Sequence, residues 1–305
     1  MIDLCLLGTG GTMPMPGRRL SSLLVRVDGE LLLFDCGEGT QVALREIGWG
    51  FRAIGHVFVS HFHADHVGGL PGLLLTIGNS GRGEEEPVTI WGPPGLTQIV
   101  DGLRVIAPYL PFPVVCRELF GRPPAPEPVG PMTMRCQWGD HDLPCLAYRL
   151  DLPRGREFDP ARARALGLPV PTWKVLQHGG TVEHGGRMVS PDEVLGPPRP
   201  GLSLAFVTDT RPTPALAEFL RAADLLVCEA AYGDPADAGK AVENKHMTFA
   251  EAAGLARDAG VRRLWLTHFS PAMPDPSLWR AQATAVFPET TLGTELMTGM
   301  LKFGE

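Results

Sequence analysis

The first third of the chain alternates short apolar runs with turn residues, a pattern that predicts strands before helices. Three strands are predicted first, at residues 2–7, 22–27 and 31–34, and apolar residues at helical spacing over 38–47 then predict a helix. A short apolar strand at 57–59 leads into a polar cluster, after which apolar residues at helical spacing over 70–77 predict a second helix. Polar side chains with ligand atoms are therefore expected at a strand end.

Strands recur through the rest of the chain, with helices between several of them. Thr248 and Glu251 form a capping box, in which a hydroxyl and a carboxylate satisfy free backbone N–H groups at a helix start. Asp159 and Ser190, each followed by proline, indicate two further helix starts. The later strands are predicted near residues 88–91, 132–137, 143–150, 202–207, 225–228 and 264–267.

Two stretches interrupt this pattern. Residues 121–131 are rich in Pro and Gly, which predicts a surface loop, and about residues 151–201 show only short helical hints among many turn residues, which predicts an insertion. The strands and helices otherwise form two similar halves. We therefore expect an α/β fold, a layered αβ/βα sandwich formed as one domain over 1–305, with the insertion as an arm.

Four side chains able to bind a metal lie within six positions after the strand at 57–59: His61, His63, Asp65 and His66. In an extended segment, residues at i, i+2 and i+4 share a side, so His61, His63 and Asp65 can converge, and His66 would start the following helix. Imidazole and carboxylate are common ligands of zinc. A metal site is predicted, and a polar loop is the alternative.

Three further candidates, His141, Asp209 and His268, each stand at the edge of a predicted strand. Histidine and aspartate at strand ends also cap turns or contact water, so none is informative alone. Together with the first four they make seven, too many for one tetrahedral ion and enough for two ions that share a carboxylate.

The order H-x-H-x-D-H, then a His, an Asp and a final His, resembles the metallo-β-lactamase superfamily over nearly the whole chain. The resemblance implies a four-layer sandwich and two Zn2+ per chain, although such sites also accept Mn2+ or Fe2+. It implies a bridging role for Asp209, and Asp65 would also act as a base toward the attacking water. The implied ligands are His61, His63 and His141 for one ion, and Asp65, His66 and His268 for the other.

Two segments near the first strands support different interpretations. Asp35, before Cys36 and Gly37, would either orient a ligand imidazole or stabilise a turn. The run Gly8-Thr-Gly-Gly lacks the endings of phosphate-binding loops, which favours a tight turn near the site.

Within the superfamily, residues 34–41, 66–74, 208–212 and 246–253, with Glu229, are similar to signatures of ribonuclease Z, which trims tRNA 3′ ends. The resemblance implies removal of the 3′ trailer from precursor tRNA, leaving a 3′-hydroxyl on the tRNA and a 5′-phosphate on the trailer. It also implies that His246, supported by Glu229, protonates the departing 3′ oxygen. Taken alone, His246 also fits a solvated residue ahead of a capped helix.

The insertion at about 151–201 falls where this family carries a protruding tRNA-binding arm. Acidic side chains nearly balance the basic ones there, so a solvated arm without RNA contact is the alternative. Val170-Pro171 and residues 270–273 depart from the Gly-Pro and Ser-x-Arg-Tyr that the family often has. The candidate phosphate contacts are Arg154, Arg156, Arg162, Arg164 and Lys174 in the arm, and Arg18 and Arg19 near the first strand.

Charge and composition add three expectations. The net charge of −7 excludes a uniformly basic surface, so RNA would be bound by local patches. The six cysteines form no C-x-x-C pair and are expected to be reduced and mostly buried. No leader-like start and no apolar stretch of roughly 20 residues is found, so we expect a cytoplasmic protein with no membrane partner. The family resemblance adds a homodimer.

Two rival functions remain at this point. A small-molecule phosphodiesterase or arylsulfatase would use the same dinuclear site, and activity on precursor tRNA separates it from the ribonuclease. A non-catalytic RNA-binding or metal-holding protein would have little use for a general acid beside open metal positions.

Overall fold

The computed structural model describes residues 1–304, which fold into two compact units. One unit consists of Met1–Asp151 together with the chain from Ser203 onward, and the other is Leu152–Leu202. The second unit occupies the segment predicted as the insertion, whereas its role as an arm stays a prediction.

The first large sheet combines antiparallel and parallel pairing. Its strands are β1 (Ile2–Gly8), β2 (Ser22–Val27), β3 (Glu30–Phe34), β4 (Ile54–Phe58), β5 (Val88–Gly92), β6 (Val114–Glu118) and β16 (Thr298–Leu301). They follow the order β16-β1-β2-β3-β4-β5-β6, antiparallel up to β3 and parallel from β3 to β6. The parallel strands point their carboxyl ends to one edge.

The second large sheet has the same number of strands. They are β7 (Glu127–Val129), β8 (Met132–Trp138), β9 (Leu146–Arg154), β12 (Arg199–Val207), β13 (Leu225–Glu229), β14 (Leu264–Thr267) and β15 (Thr290–Leu292). The order is β15-β14-β13-β12-β9-β8-β7, and the strands from β12 to β15 are parallel. A second parallel edge is thereby formed.

Ten α-helices and three short 3-10 helices are described. The α-helices are α1 (Thr40–Ile47), α2 (Ala64–Val67), α3 (Leu70–Gly78), α4 (Leu96–Arg104), α5 (Pro160–Ala165), α6 (Val170–Gln177), α7 (Pro214–Phe219), α8 (Ala238–Glu243), α9 (Phe249–Ala259) and α10 (Arg280–Thr284). The 3-10 helices are Pro191–Glu193, Pro235–Asp237 and Pro276–Trp279. Thr248 and Glu251 cap α9 reciprocally, as their spacing predicts.

Aromatic side chains join the two large sheets face to face. Phe34 of β3 stacks on Phe58 of β4 at 4.7 Å between ring centroids. Phe206 of β12 lies 5.4 Å from Phe34, and Tyr148 of β9 lies 5.4 Å from Phe58. These four rings are fully buried, and each removes a large apolar area from water.

Helices cover the outer faces of both sheets. On the first, Leu73 of α3 packs in one buried cluster with Leu33 of β3. On the second, Ala256 of α9 packs in another with Leu226 of β13. The order helix, sheet, sheet, helix confirms the predicted four-layer αβ/βα sandwich of an α/β protein.

The smaller unit has a core of its own. It contains α5, α6, the 3-10 helix Pro191–Glu193 and a hairpin of β10 (Val182–His184) with β11 (Arg187–Val189). Asp159 caps α5 by accepting hydrogen bonds from the N–H groups of Ala161 and Arg162. The buried side chains are Ala163, Leu168, Leu176, Val189, Val194 and Leu195.

The segment 121–131, predicted as a loop, contains the strand β7. Pro128 has no N–H to donate to a neighbouring strand, and a proline therefore argues against a strand when the sequence is considered alone. β7 is the last strand of its sheet and pairs with β8 alone, so the missing donor costs little there. Across residues 1–304, no helix combines the length and apolar character that crossing a bilayer requires.

Candidate metal centre

The polar cluster that follows β4 turns back on itself at the parallel edge of the first sheet. His61 Nε2 lies 2.8 Å from His63 Nδ1, so the two side chains point to one place. Asp65 and His66 lie in α2, which begins at Ala64. The expectation of an extended segment as far as Asp65 is therefore wrong, and the turn into α2 divides the four side chains into two pairs.

Three loops of the second sheet bring the remaining candidates to this cluster. Asp209 follows β12, His268 follows β14, and His141 lies between β8 and β9. Two groups of side chains place their ligand atoms within 4.8 Å of one another: His61, His63, His141 and Asp209, and Asp65, His66 and His268. Imidazole nitrogen and carboxylate oxygen are a donor set that suits a divalent metal such as zinc.

Asp209 lies between the two groups. Its Oδ2 is 3.5 Å from His61 Nε2 and 3.9 Å from His141 Nε2. Its Oδ1 is 3.4 Å from His66 Nε2 and 3.2 Å from His268 Nε2. Each oxygen of one carboxylate thus faces a different set of imidazoles, an arrangement that allows a carboxylate to be shared by two ions.

Three residues of the site adopt left-handed backbone conformations that side chains other than glycine rarely take. The φ angles are 53° at Asp35, 35° at Asp209 and 60° at His268. Such conformations are unfavourable by roughly 1–3 kcal/mol each and persist where surrounding structure enforces them. Their concentration at strand ends of both sheets marks this edge as a functional site.

Asp35 lies directly behind one of the imidazoles. His66 Nδ1 donates to Asp35 Oδ2 at 2.8 Å, and Ser60 donates to both carboxylate oxygens, through its N–H at 2.7 Å and its hydroxyl at 2.8 Å. This bond leaves His66 Nε2 to face the cluster. These contacts suit an orienting carboxylate, and that role of Asp35 stays a prediction.

The loop after β1 lies against the other side of the cluster. The N–H of Thr12 donates to Asp65 Oδ2 at 2.7 Å. A methyl group on Gly11 would come within 2.5 Å of His268 Cε1, so only glycine fits between this backbone and the ring. The expected tight turn near the site therefore also fixes the position of two candidate ligands.

Burial and mutual proximity shift the acidities of the cluster strongly. Burial, with the neighbouring His66, lowers the pKa of His61 to about 2, so its imidazole is neutral and free to bind a cation. Burial opposes ionisation of Asp65, yet the imidazoles of His268 and His66 hold its pKa well below the usual range. Neutral imidazoles and ionised carboxylates are the forms that bind metals.

His246 lies at the rim of the cluster with Glu229 behind it. His246 Nδ1 is 3.1 Å from Glu229 Oε1, and Glu229, at the end of β13, is fully buried. The N–H groups of Thr210 and Met247 also donate to Glu229, at 2.9 and 3.2 Å. Burial opposes the charged imidazole, but the Glu229 carboxylate raises the pKa of His246 to about 9.

The backbone of His246 is fixed as well. Arg211 donates to the His246 carbonyl at 2.5 Å and pairs with Glu251, which caps α9. A ligand atom of His246 also lies within 4.8 Å of those of Asp209 and His268. The geometry therefore permits either an acid or a further metal ligand at this position.

Arg18 and Arg19, predicted to contact phosphate, are engaged within the protein. Arg18 donates to the carbonyls of Met273 and Pro274 at 2.9 and 2.7 Å. Arg19 pairs with Glu46 at 2.6 Å and with Glu295 at 3.4 Å. Arg18 thereby connects its loop to residues 273–274, Arg19 connects to α1 and to Glu295, and the phosphate contacts of both stay a prediction.

The basic side chains of the smaller unit differ in how far they bind other groups of the protein. Arg156 donates to the carbonyl of Gly196 and pairs with Asp192, so it supports the unit itself. Arg162 pairs with Asp159, and Arg164 lies over the ring of Trp173, yet both are exposed, as is Lys174. Arg154 also has a partner within the protein.

Comparison with known families identifies parts of the chain. Residues 2–90 match the family model described as "Anti-Pycsar protein Apyc1", and residues 193–269 match a "Beta-lactamase superfamily domain". The chain is 45% identical to the ribonuclease Z of Clostridium kluyveri over 305 residues, 100% of both chains. It is 43% identical to the ribonuclease Z of Lachnoclostridium phytofermentans over 303 residues, 99% of both chains.

Solved structures share the architecture. The crystal structure of the short form of human tRNase Z matches with a TM-score of 0.71 at 24% identity, covering 99% of this chain and 100% of that chain. The crystal structure of a new diphosphatase from the PhnP family matches with a TM-score of 0.63 at 16% identity, covering 99% of both chains. At these identities the likeness concerns the fold alone.

Proposed function

The chain belongs to the ribonuclease Z family of the metallo-β-lactamase superfamily, and from this we propose that it removes the 3′ trailer from precursor tRNA by hydrolysis. The tRNA would keep a 3′-hydroxyl and the trailer a 5′-phosphate. Precursor tRNA in the cytoplasm is the proposed partner, and a homodimer is the proposed assembly.

The observation that carries this proposal is the His246–Glu229 pair beside the shared carboxylate of Asp209. A ribose 3′ oxygen is a poor leaving group, so a phosphodiesterase acting on RNA benefits from a positioned acid. The imidazole of His246, whose pKa is raised, is at the rim of the site and accessible to a substrate, while its carboxylate partner is fully buried.

The residues fit two divalent ions, for which we propose zinc. His61, His63 and His141 would hold one ion, Asp65, His66 and His268 the other, and Asp209 both. When bound, such ions lower the pKa of water toward about 7 and offset negative charge on phosphoryl oxygens. Asp35 would keep the His66 ring in the orientation that presents Nε2.

The protein's own side chains carry the proton transfers. Asp65 accepts a proton from the attacking water, whose oxygen forms the new bond to phosphorus. The bond from phosphorus to the 3′ oxygen breaks, and protonated His246 gives its proton to that oxygen. Glu229 holds the imidazolium in place and stabilises its charge.

Product analysis tests the proposal. Purified protein with zinc is incubated with a precursor tRNA carrying a short trailer, and both products are mapped at their ends. We expect one cut after the discriminator nucleotide, a 3′-hydroxyl on the tRNA and a 5′-phosphate on the trailer. Hydrolysis of small phosphodiesters or aryl sulfates without any tRNA cleavage would favour the small-molecule enzyme, and zinc binding without any hydrolysis the non-catalytic protein.

A further inference from the structure

A wide cavity opens beside the metal centre and has no role in the chemistry described so far. It encloses about 670 Å3 and shares His141 with the cluster. Its other lining residues come from the segment after β6, the end of β8, the turn before β9 and, with Pro94, the segment after β5. Because a candidate metal ligand is part of its wall, a group bound in the cavity would adjoin the reacting phosphate.

Two of the side chains that line this cavity, Phe120 and Trp138, are aromatic. The Phe120 side chain is 65% exposed, and Leu143 at the other side is 36% exposed. Trp138 is half-buried, and its Nε1–H donates to the carbonyl of Gly121 at 2.6 Å, which ties the indole to the segment that carries Phe120. An exposed ring at the mouth of a cavity is available for contact with a ligand.

One cation stands at the same mouth. Arg122 is exposed, lines the cavity, and makes no ion pair or side-chain hydrogen bond within the described residues 1–304. Asp142, also at the mouth, lies 3.7 Å from the Lys245 ammonium, which offsets part of its charge. A guanidinium without an ion pair, in a cavity that is also lined by two aromatic rings, suits a ligand with a flat π-face and a phosphate.

We infer that this cavity binds an unpaired nucleotide next to the scissile phosphate, with its base on Phe120 and Trp138 and a flanking phosphate near Arg122. The inference rests on the proposed function, because RNA supplies both the phosphate at the metal centre and the base. Unpaired nucleotides are bound mainly by stacking on aromatic side chains, and the volume is in the range of small-ligand sites. The base belongs either to the discriminator nucleotide or to the first trailer nucleotide.

Phe120→Ala on matched RNA substrates tests the inference. On intact precursor tRNA the variant should lower kcat/KM by roughly tenfold or more, as removal of one aromatic ring from beneath a stacked base does. On RNA that lacks the base at the position bound in the cavity, wild type and Phe120→Ala should be equal. Abasic substitution at the discriminator in one substrate, and at the first trailer position in another, identifies the nucleotide.

Three further variants separate stacking from support of the fold. Phe120→Trp should retain activity and Phe120→Leu should not, since leucine fills space without a π-face. Tyr109→Ala, which removes another ring that is 90% exposed but outside the cavity, should leave kcat/KM unchanged. Metal content and melting temperature of Phe120→Ala should equal those of wild type.

Two results would overturn the inference: full activity of Phe120→Ala on intact RNA, or the same loss on intact RNA and on both abasic substrates. Absence of tRNA cleavage by the wild type is a different outcome, because it removes the proposed function itself. The two failures are therefore distinguishable in one set of assays.

Discussion

The imidazole nitrogen Nδ1 of His246 lies 3.1 Å from the carboxylate of Glu229, and that carboxylate has no exposed surface. Backbone N–H groups on both sides of the pair also bind Glu229, so the carboxylate has one position. The imidazole is thereby fixed beside the candidate ligands Asp209 and His268, and the buried carboxylate raises its pKa.

His246→Ala should reduce turnover of precursor tRNA by roughly 100-fold, the usual contribution of a positioned general acid. The effect on a nitrophenyl phosphodiester should be far smaller, since nitrophenolate leaves without a proton. Glu229→Gln should also slow tRNA cleavage more than hydrolysis of the nitrophenyl ester, but by a smaller factor. Metal analysis by mass spectrometry serves as the control: a lost ion, or equal slowing of both substrates, would identify His246 as a ligand.

The pH dependence of tRNA cleavage should report the same pair. The pKa of His246 is raised to about 9, so the acid form is present at neutral pH and is lost as pH rises through that value. Bound divalent cations oppose the raised pKa, so in metal-loaded enzyme the decline in kcat should lie at or below about 9. Glu229→Gln removes the charge that raises the pKa and should move the decline to lower pH. If kcat of Glu229→Gln declines at the same pH as kcat of the wild type, the decline does not arise from His246.

Metal stoichiometry should depend on which carboxylate or imidazole is removed. Carefully loaded wild-type protein should hold two ions per chain. Asp209→Ala should weaken the binding of both, because its two oxygens face both groups of imidazoles, whereas His141→Ala should weaken one. His178→Ala, an exposed histidine outside the cluster, is the matched control. One ion in the wild type would contradict the dinuclear assignment.

Removal of three exposed cations from the smaller unit should weaken tRNA binding. Replacing Arg162, Arg164 and Lys174 by Gln should raise KM for precursor tRNA and flatten its dependence on salt, by about one unit of slope for each phosphate that is no longer neutralised. Hydrolysis of a nitrophenyl phosphodiester should not change. The control is a second triple variant, with Arg221, Lys240 and Arg257 replaced by Gln, which loses the same charge outside the smaller unit and should bind tRNA as the wild type does. Equal behaviour of the two triple variants would leave the unit without a specific role in RNA binding.

Gly11→Ala should disturb the metal centre although residue 11 is no ligand. Its methyl group would come within 2.5 Å of the His268 ring, so either the loop or the ring must shift. Displacement of a reacting group by about 1 Å can cost 100-fold in rate, and we expect at least a tenfold loss of turnover with weaker metal binding. Gly83→Ala, where no atom beyond the adjoining residues lies within 4 Å of the added carbon, should behave as wild type.

Local features of the chain can be predicted from the sequence. The helix α9 begins at the capping box of Thr248 and Glu251, because both partners lie within one turn. The order of the elements, together with the family resemblance, predicts the fold. The turn that places Asp65 in α2 is not predicted, since an extended segment and a short helix both bring His61 and His63 together.

Interactions between distant segments are beyond the reach of such local patterns. Arg18 is separated from Met273 by 255 positions, and nothing near Arg18 in the sequence indicates that it donates to carbonyls rather than to phosphate. The cavity beside His141 is another case, because Phe120 and Trp138 come from separate segments and carry no recognisable motif. Such interactions depend on strand order, which a single sequence does not specify.

The division of the candidate metal ligands between the two sheets has a consequence during synthesis of the chain. When His61, His63, Asp65 and His66 have left the ribosome, the carboxylate of Asp209 and the ring of His268 have not yet been made. At that stage the nascent chain has only part of the proposed ligand set, and a smaller number of ligands binds a metal ion less tightly. The complete proposed set exists only after His268, which follows β14, has been synthesised, so nearly all of the described chain must be made before both ions can be held.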